Sequence, residues 1–510
     1  MINQTNQSQK WAITLFTIGV FMAGLDNGII STALTTINDS FNVSPSWGTW
    51  SITLYTLGIA VSVPIVGKLS DRYGRKRLFI IEITLFAIGS LLVALSPTFT
   101  FLLIARVIQS IGGGGIFIIG SSHILATLPK EKQGRALGLL GGMNGIAAVI
   151  GPNLGAVILD ITGSWHWLFL INLPIALFLI IGGVIKIDES YPGESNKLDF
   201  TGSVLLAGAI LSLMLGITRL DSQSFKESLL QIDVLPYIIL GFALFIILLV
   251  HEKRVEARGG DPILAFSLLE KKLFQLTLLL GLLSGGFLAG IIFIPAYVQQ
   301  VLQVPVENAG YWLTPLALAS GIGAGLGGYL TDKRSAAQTV IISGVIGIIG
   351  FFMFPLWVSG VWTFIIASVL AGIGLGILLG APLNVLVGES AKSGEQGSAL
   401  GTLSLIRQIG LTLFPTIYAG YITGSLTNIK PTIVEKFGAG IINFDSQSEL
   451  NYGDIQTKIN QVHDDMLVEK LETSVTAVME TGFNHLFITA GILSVFVVAA
   501  GLFVAKYSKN

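Results

Sequence analysis

The sequence predicts an all-α integral membrane protein of fourteen membrane-crossing helices, two six-helix bundles with two further helices inserted between them. Three observations carry this. The 510 residues are 52% hydrophobic and only 12% charged, with a mean hydropathy of +0.77, whereas an ordinary soluble protein is about 25% charged. The apolar residues fall in fourteen continuous runs. They do not alternate, and an open sheet would leave backbone groups unpaired in lipid. Third, the chain echoes itself at an offset of 261 to 263 residues.

A bilayer core about 30 Å thick needs roughly 20 apolar residues per helix. The polar start "MINQTNQSQK" leads into an apolar run at Trp11 that is too long for the core of a cleaved signal and has no small-residue cleavage site behind it, so residues 11–37 read as a retained span 1. Spans 2 to 6 are expected at 47–66, 78–95, 101–128, 136–161 and 165–185. Spans 7 and 8 follow at 200–217 and 234–250, and spans 9 to 14 at 273–298, 309–330, 340–358, 362–387, 399–422 and 483–505. If the N-terminus is inside, the first short inner connections hold Lys68, Arg72, Arg75, Lys76 and Arg77, then Lys130, Lys132 and Arg135, then Lys186 and Lys197. Later ones hold Lys253, Arg254, Arg258, Lys271 and Lys272, then Lys333 and Arg334, Lys392, and finally Lys506 and Lys509, while short outer connections hold only Arg219 and Lys226. This asymmetry puts both termini in the cytoplasm. All eight tryptophans fall near span ends, where an amphipathic ring is favoured. The acidic segment 424–482 is a long outer loop, and its stretch from Tyr452 to Met479 has enough helix formers for a short amphipathic hairpin.

The repeat sets the architecture. "GKLSDR" at Gly67–Arg72 returns as "GYLTDK" at Gly328–Lys333, "IGGGG" at Ile111–Gly115 as "IGLGI" at Ile373–Ile377, and "GRALG" at Gly134–Gly138 as "GSALG" at Gly397–Gly401. Pro152 meets Pro415 at the last of these offsets. Spans 1 to 6 therefore align with spans 9 to 14, giving an N-terminal bundle over 1–190, inserted helices over 191–258 and a C-terminal bundle over 259–510. Parallel repeats about an axis normal to the membrane are a secondary-transporter architecture.

Charge inside the spans marks candidate sites, because an ionisable group at mid-helix costs about 2.5 to 3.5 kcal/mol on insertion scales. Only Asp26, Arg106 and Arg407 lie well inside, with Glu82 close to an inner end. Asp26 and Arg106 read either as a functional pair or as an ion pair that fixes helices 1 and 4. Arg407 is a cation of a substrate cavity or a helix-packing donor, and Glu82 is expected to snorkel to the inner surface or meet the adjacent Arg/Lys cluster. Asp71 has an acceptor's role open to it, from Arg72, a neighbouring Arg or exposed amides at a helix start.

Other chemistries find little support. Without Cys there are no disulfides, thiolate metal sites or thiol catalysis. The Gly67-Lys68 pair is followed by Leu69, so no phosphate cradle for an ATP-driven pump is present. The five His are scattered, none at metal spacing, and 29 basic against 30 acidic residues give no reason to expect nucleic acid. No cofactor, metal or catalytic residue is expected.

Several stretches carry a resemblance. "GKLSDRYGRKRLF" resembles the loop signature after the second helix of the major facilitator superfamily, and "LIARVIQSIGGG" its fourth-helix motif, with Arg106 and Gln109. "AAVIGPNLGA" resembles the fifth-helix Gly-Pro motif of exporters, on Gly151, Pro152 and Gly155. "LDNGIISTALTTI", "WHWLFLINLP" and "KLDFTG" are similar to the fourteen-helix drug/proton antiporters, with Gly28, Thr35 and His166 departing from the usual residues. The resemblance implies the major facilitator fold and a proton-coupled antiporter exporting lipophilic drugs of the quaternary-ammonium type by alternating access. It implies proton coupling by Asp26 and Arg106, and a cytoplasmic gate of Gly67, Asp71, Arg72, Gly74 and Arg75, with a weaker second latch at Asp332. Gly151, Pro152 and Gly155 would be a bending or sealing point, and Gln109 and Arg407 would face the substrate cavity. The partners implied are a lipophilic small molecule, protons and membrane lipids, for a monomer in a bacterial plasma membrane. A transporter or flippase of an endogenous lipid, glycolipid or peptide, and a transport-incompetent scaffold, are the alternatives.

Overall fold

In a computed structural model, the structure describes residues 2–189, 199–221, 225–305, 309–392, 394–438 and 452–508. Lys197, Lys509, the side chain of Lys226 and the boundary at 190/191 lie outside the described residues. Among the described residues there is no strand, and fourteen helices are long and apolar enough to cross a membrane. Span 1 occupies Gln7–Ile30 of a helix that runs Ile2–Phe41. Spans 2 to 6 are Trp50–Tyr73, Arg75–Ala94, Phe99–Thr127, Lys130–Thr162 and His166–Lys186. Spans 7 and 8 are Phe200–Thr218 and Leu235–Ala257. Spans 9 to 14 are Lys272–Gln300, Gly310–Lys333, Ala336–Trp357, Val361–Ser390, Gln396–Phe437 and Asp465–Tyr507.

The outer segment differs most from its expectation. Span 13 continues as helix to Phe437 and span 14 begins at Asp465, so of the expected hairpin only Tyr452–Ile459 is a separate helix and the rest runs straight into span 14. The reason is burial. Ile429, Ile433, Ile455, Ile459, Leu471, Val475 and Met479 join one apolar core that continues to Phe483 and Phe487, so the helices keep packing after their composition has turned polar.

Two spans are broken near corresponding places of the two halves. Span 4 is interrupted at Gly115, between Phe99–Gly114 and Ile116–Thr127, and span 12 at Ala381, ahead of Pro382. Proline removes a backbone donor in the second case.

The halves touch along two seams, span 2 with span 13 and span 5 with span 10. Both are built on glycine because the backbones nearly meet. A β-carbon on Gly67 would lie 2.3 Å from the carbonyl oxygen of Gly397, and one on Gly328 2.4 Å from that of Gly134. The inserted helices pack on the first seam, where Leu206, Ile210 and Met214 of span 7 and Leu248 of span 8 join Leu57 and Ala60 of span 2 and Leu405 of span 13.

Candidate functional site

Asp26 is fully buried in the N-terminal half, and five spans converge on it. Arg106 of span 4 donates through Nη1 to Asp26 Oδ2 at 2.6 Å and to Gln109 Oε1 at 2.7 Å. Gln109 Nε2 donates to Asp26 Oδ1 at 2.8 Å and to Ser90 Oγ of span 3 at 2.9 Å. Asn172 of span 6 donates to Ser90 Oγ at 3.3 Å and reaches Asp26 Oδ1 at 3.5 Å. Span 2 closes the cage, since Arg106 Nε donates to the Ser51 carbonyl at 3.3 Å and the guanidinium lies 4.0 Å from the Tyr55 ring centroid.

Asp26, Arg106, Gln109, Asn172 and Ser90 all have 0% exposure. A buried ion pair repays its desolvation only when further hydrogen bonds satisfy it. Here the carboxylate is satisfied on both oxygens, yet one guanidinium nitrogen, the Asn172 Oδ1 and the Tyr55 hydroxyl have no partner among the described residues. The cage holds a charge pair with donor and acceptor capacity in reserve, so its bonds can be exchanged without stranding the acid. Gln109, expected at a substrate cavity, is enclosed here as a ligand of Asp26. Ser90, Asn172 and Tyr55 were not singled out by sequence, because uncharged polar residues are common in spans. Asn172 in "LINLP" was the available signal, an amide in an apolar run.

Asp71 and Asp332 each reach across to the opposite half. Asp71 Oδ2 accepts from the Ser398 amide in the first turn of span 13 at 3.0 Å. Its Oδ1 accepts from Arg75 at 3.2 Å, and Arg75 also donates to Gln396 Oε1 at 3.1 Å and Ser122 Oγ at 3.1 Å. Asp332 accepts from the amides of Gly134 at 2.6 Å and Arg135 at 3.0 Å, in the first turns of span 5. Helix starts carry exposed N–H groups and partial positive charge, which suits both acids. The repeated "QG[R/S]ALG" is thus the partner of the repeated acid. The two contacts differ in kind: Asp71 has a buried guanidinium, and Asp332 has two amides with an exposed Arg135 at 3.8 Å. Arg72, half-buried, lies over Tyr73 rather than on Asp71. Gly74, at φ 97°, makes the turn into span 3, and a β-carbon there would meet the Glu189 carboxylate at 2.4 Å. Lys68 is held by Asp261, which ties this end of span 2 to the chain after span 8.

The exporter-like motif faces span 1. A β-carbon on Gly28 would lie 2.7 Å from Pro152 Cδ and 2.9 Å from Gly151 Cα, and Thr32 donates to the Pro152 carbonyl at 3.2 Å. Gly155 packs beside Ile29 and Thr32. On the other side of Pro152 is a cavity of about 350 Å³ between the halves, lined by Thr32, Asn153 and Ala156 on one side and Pro295, Tyr311 and Thr314 on the other. Among the described residues no lining residue is charged. Pro152 is eighteen residues along span 5 from Gly134, about 27 Å at 1.5 Å per residue. The halves therefore meet backbone to backbone at the Asp71/Asp332 end, beside a charged cavity of about 350 Å³ lined by Lys130, Glu131, Asp332 and Glu389, and leave the Pro152 cavity toward the other.

Arg407 does not line that cavity; its Nε donates to Ser284 Oγ of span 9 at 3.2 Å, a contact within the C-terminal half. Glu82 departs from its expectation as well. It is 2% exposed and does not snorkel, it is paired with no cation among the described residues, and its Oε2 accepts from the Gly115 amide at 3.2 Å, at the break in span 4.

This arrangement, two pseudo-symmetric halves with reciprocal acid-to-helix contacts, agrees with the sequence comparisons. A model of the Major Facilitator Superfamily matches residues 16–415. The chain belongs to the major facilitator superfamily. It is similar to the uncharacterized MFS-type transporter YfiU of Bacillus subtilis, 60% identical over 97% of this chain and 96% of that one, and to multidrug resistance protein 3 of the same organism, 30% identical over 98% and 96%. The proton:xylose symporter XylE shares the major facilitator fold at a TM-score of 0.58 and 15% identity, covering 97% of this chain and 95% of that one. So does the human organic anion transporter MFSD10, at 0.59 and 13%, over 95% and 99%. Major facilitator proteins are transporters and not enzymes, and this chain is a multi-pass membrane transporter of that family.

Proposed function

We propose that the chain is a proton-coupled antiporter that exports lipophilic, weakly charged amphiphiles by alternating access. The observation that carries this is the caged Asp26–Arg106 pair, because antiport needs a group that changes charge during the cycle. Asp26 holds its charge while Arg106 faces it and yields it when a proton takes the place of that contact. The relative named a multidrug resistance protein supports export of drugs. The cavity beside Pro152, uncharged among the described residues, supports amphiphiles over multiply charged solutes.

On this reading the Asp71/Asp332 end is cytoplasmic, as are both termini, and its closed contacts belong to the outward-facing state of a monomer in the bacterial plasma membrane. Gly67, Asp71, Gly74 and Arg75 form the inner gate. Gly151, Pro152 and Gly155 form the flexible seal against span 1. The driving force suffices, since one charge crossing 100 mV contributes about 2.3 kcal/mol before any pH gradient is added.

The test is reconstitution into vesicles with an imposed pH gradient, comparing efflux of a lipophilic dye with flipping of a labelled lipid. Gradient-dependent dye movement is expected. Lipid flipping without dye movement would replace the reading with a lipid flippase, and neither activity would leave a scaffold.

A further inference from the structure

Four consecutive glycines, Gly112 to Gly115, and the buried Glu82 belong to neither the Asp26 cage nor the Asp71 gate, but they belong together. A β-carbon on Gly113 would lie 2.9 Å from the Tyr55 hydroxyl, one on Gly114 2.2 Å from Ser62 Oγ, and one on Gly115 2.6 Å from Glu82 Oε2. These are three separate close approaches, because successive positions on a helix point about 100° apart, and Ser62 Oγ itself donates to the Ile59 carbonyl at 3.1 Å. The first lies beside the Asp26 cage, because Tyr55 stacks on Arg106, and the last at the break in span 4. Tyr55 is 1% exposed and its hydroxyl has no partner among the described residues.

Span 3 carries the same line. Arg75, Glu82 and Ser90 are spaced by seven and eight residues, which places them on one face with about 10 to 12 Å between successive members. Ser90 is a ligand of the cage and Arg75 belongs to the Asp71 contact. Glu82 stands between. Val66 from span 2 and Gly115 from span 4 lie against its carboxyl, and Gly112 lies against its backbone carbonyl. Among the described residues no cation lies within ion-pair distance of it. The charged groups along the line are Arg75, Asp71 and Lys68 toward the closed end, each already engaged, and Asp26 and Arg106 toward the cage. A carboxyl with one amide donor and no counter-ion is stable in lipid as the neutral acid.

We propose that Glu82 is a second proton-binding site, the station between the Asp26 cage and the Asp71–Arg75 gate. In the closed-gate state its proton is held while Asp26 is paired with Arg106. A proton leaving Asp26 breaks its O–H bond there and forms one at a Glu82 carboxylate that gave up its own proton in the preceding cycle. Opening of the gate then frees the Glu82 proton to the inner side. This rests on the proton-coupled reading above, and the test separates the two.

Infrared spectra of the purified full chain are compared for wild type, Glu82→Gln and Asp26→Asn, reading the carbonyl stretch of a neutral carboxylic acid. Gln keeps the shape and the acceptor for Gly115. The expected result is a component of that band present in wild type and Asp26→Asn and lost in Glu82→Gln, the remainder belonging to other buried acids such as Glu252. In vesicles, Glu82→Gln should slow pH-driven export by about a hundredfold, the worth of a positioned proton-transfer group, while substrate-for-substrate exchange is unchanged. A band undiminished in Glu82→Gln overturns the assignment, as does pH-driven export at the wild-type rate. Uphill export by Asp26→Asn would overturn the coupling reading, and the route with it, while the infrared bands still decide whether Glu82 holds a proton.

Discussion

Asp26 and Arg106 each depend on the other. Breaking a buried ion pair by removing one partner costs about 3 to 5 kcal/mol, because the remaining charge is stranded, whereas removing both is close to neutral. Arg106→Met should therefore lower the thermal midpoint of the purified protein strongly, and Arg106→Met/Asp26→Asn should recover much of the loss. Strictly additive effects in that double-mutant cycle would mean that the cage bonds do not couple. On the proposed reading Asp71 lies at a surface that opens, and its loss should act differently. Asp71→Asn gives up a charge-assisted bond of about 1.5 to 3 kcal/mol, roughly a tenfold or greater shift away from the closed gate. Since the chain has no Cys, a single cysteine placed near Gln396 reports that shift directly: its labelling should rise while the amount of inserted protein holds. Unchanged labelling would count against the latch. At this scale the sequence was informative where a residue is expensive. A charge in lipid stands out, so Asp26, Arg106 and the repeated acids were legible. Ser90, Asn172 and Tyr55 were not, because a hydroxyl or amide in a span announces nothing until its neighbours are known, and Gln109 was placed toward the cavity because sequence cannot tell the two sides of a helix apart within a bundle.

The seams are where elements decide behaviour. A side chain on Gly397 would strike the Gly67 carbonyl at 2.3 Å, a contact that backbone cannot relieve. Gly397→Leu should hold the span 2/span 13 seam apart, raise labelling at the gate and reduce export about as far as Asp71→Asn or further. Gly424, with nothing within 4 Å of a β-carbon, is the control, and Gly424→Ala should be silent in both measurements. Equal effects of the two would remove the close approach as the cause. Helices were legible as elements because lipid demands long continuous apolar runs. Their ends were less so. Spans 13 and 14 extend well beyond the bilayer-length runs, since Ile429, Ile433, Leu471 and Val475 bury one stripe of an otherwise polar helix, and the break at Gly115 is a tertiary accommodation of Glu82 and Val66 that four glycines permit without dictating.

For the whole molecule the repeat was the most informative feature of the sequence. It set an acid and a "G[R/S]ALG" helix start at corresponding places in both halves. That the acid of one half meets the helix start of the other, and that Asp71 draws on Arg75 rather than Arg72, needed the packing, because a repeat fixes correspondence and not contact. The halves meet at one end on those pairs and leave a cavity toward the other that is uncharged among the described residues. With no carboxylate among its described lining, that cavity should favour monovalent lipophilic cations or neutral amphiphiles, and a rigid dication of similar size should be exported more slowly from the same vesicles. Comparable rates would place an acid in the substrate path that the cavity does not show. The central claim is that Asp26 couples protons to export, and the measurement that tests it most directly is pH-driven export by Asp26→Asn in reconstituted vesicles, read beside substrate-for-substrate exchange. Uphill export should be abolished while exchange persists; uphill export at the wild-type rate would contradict the claim.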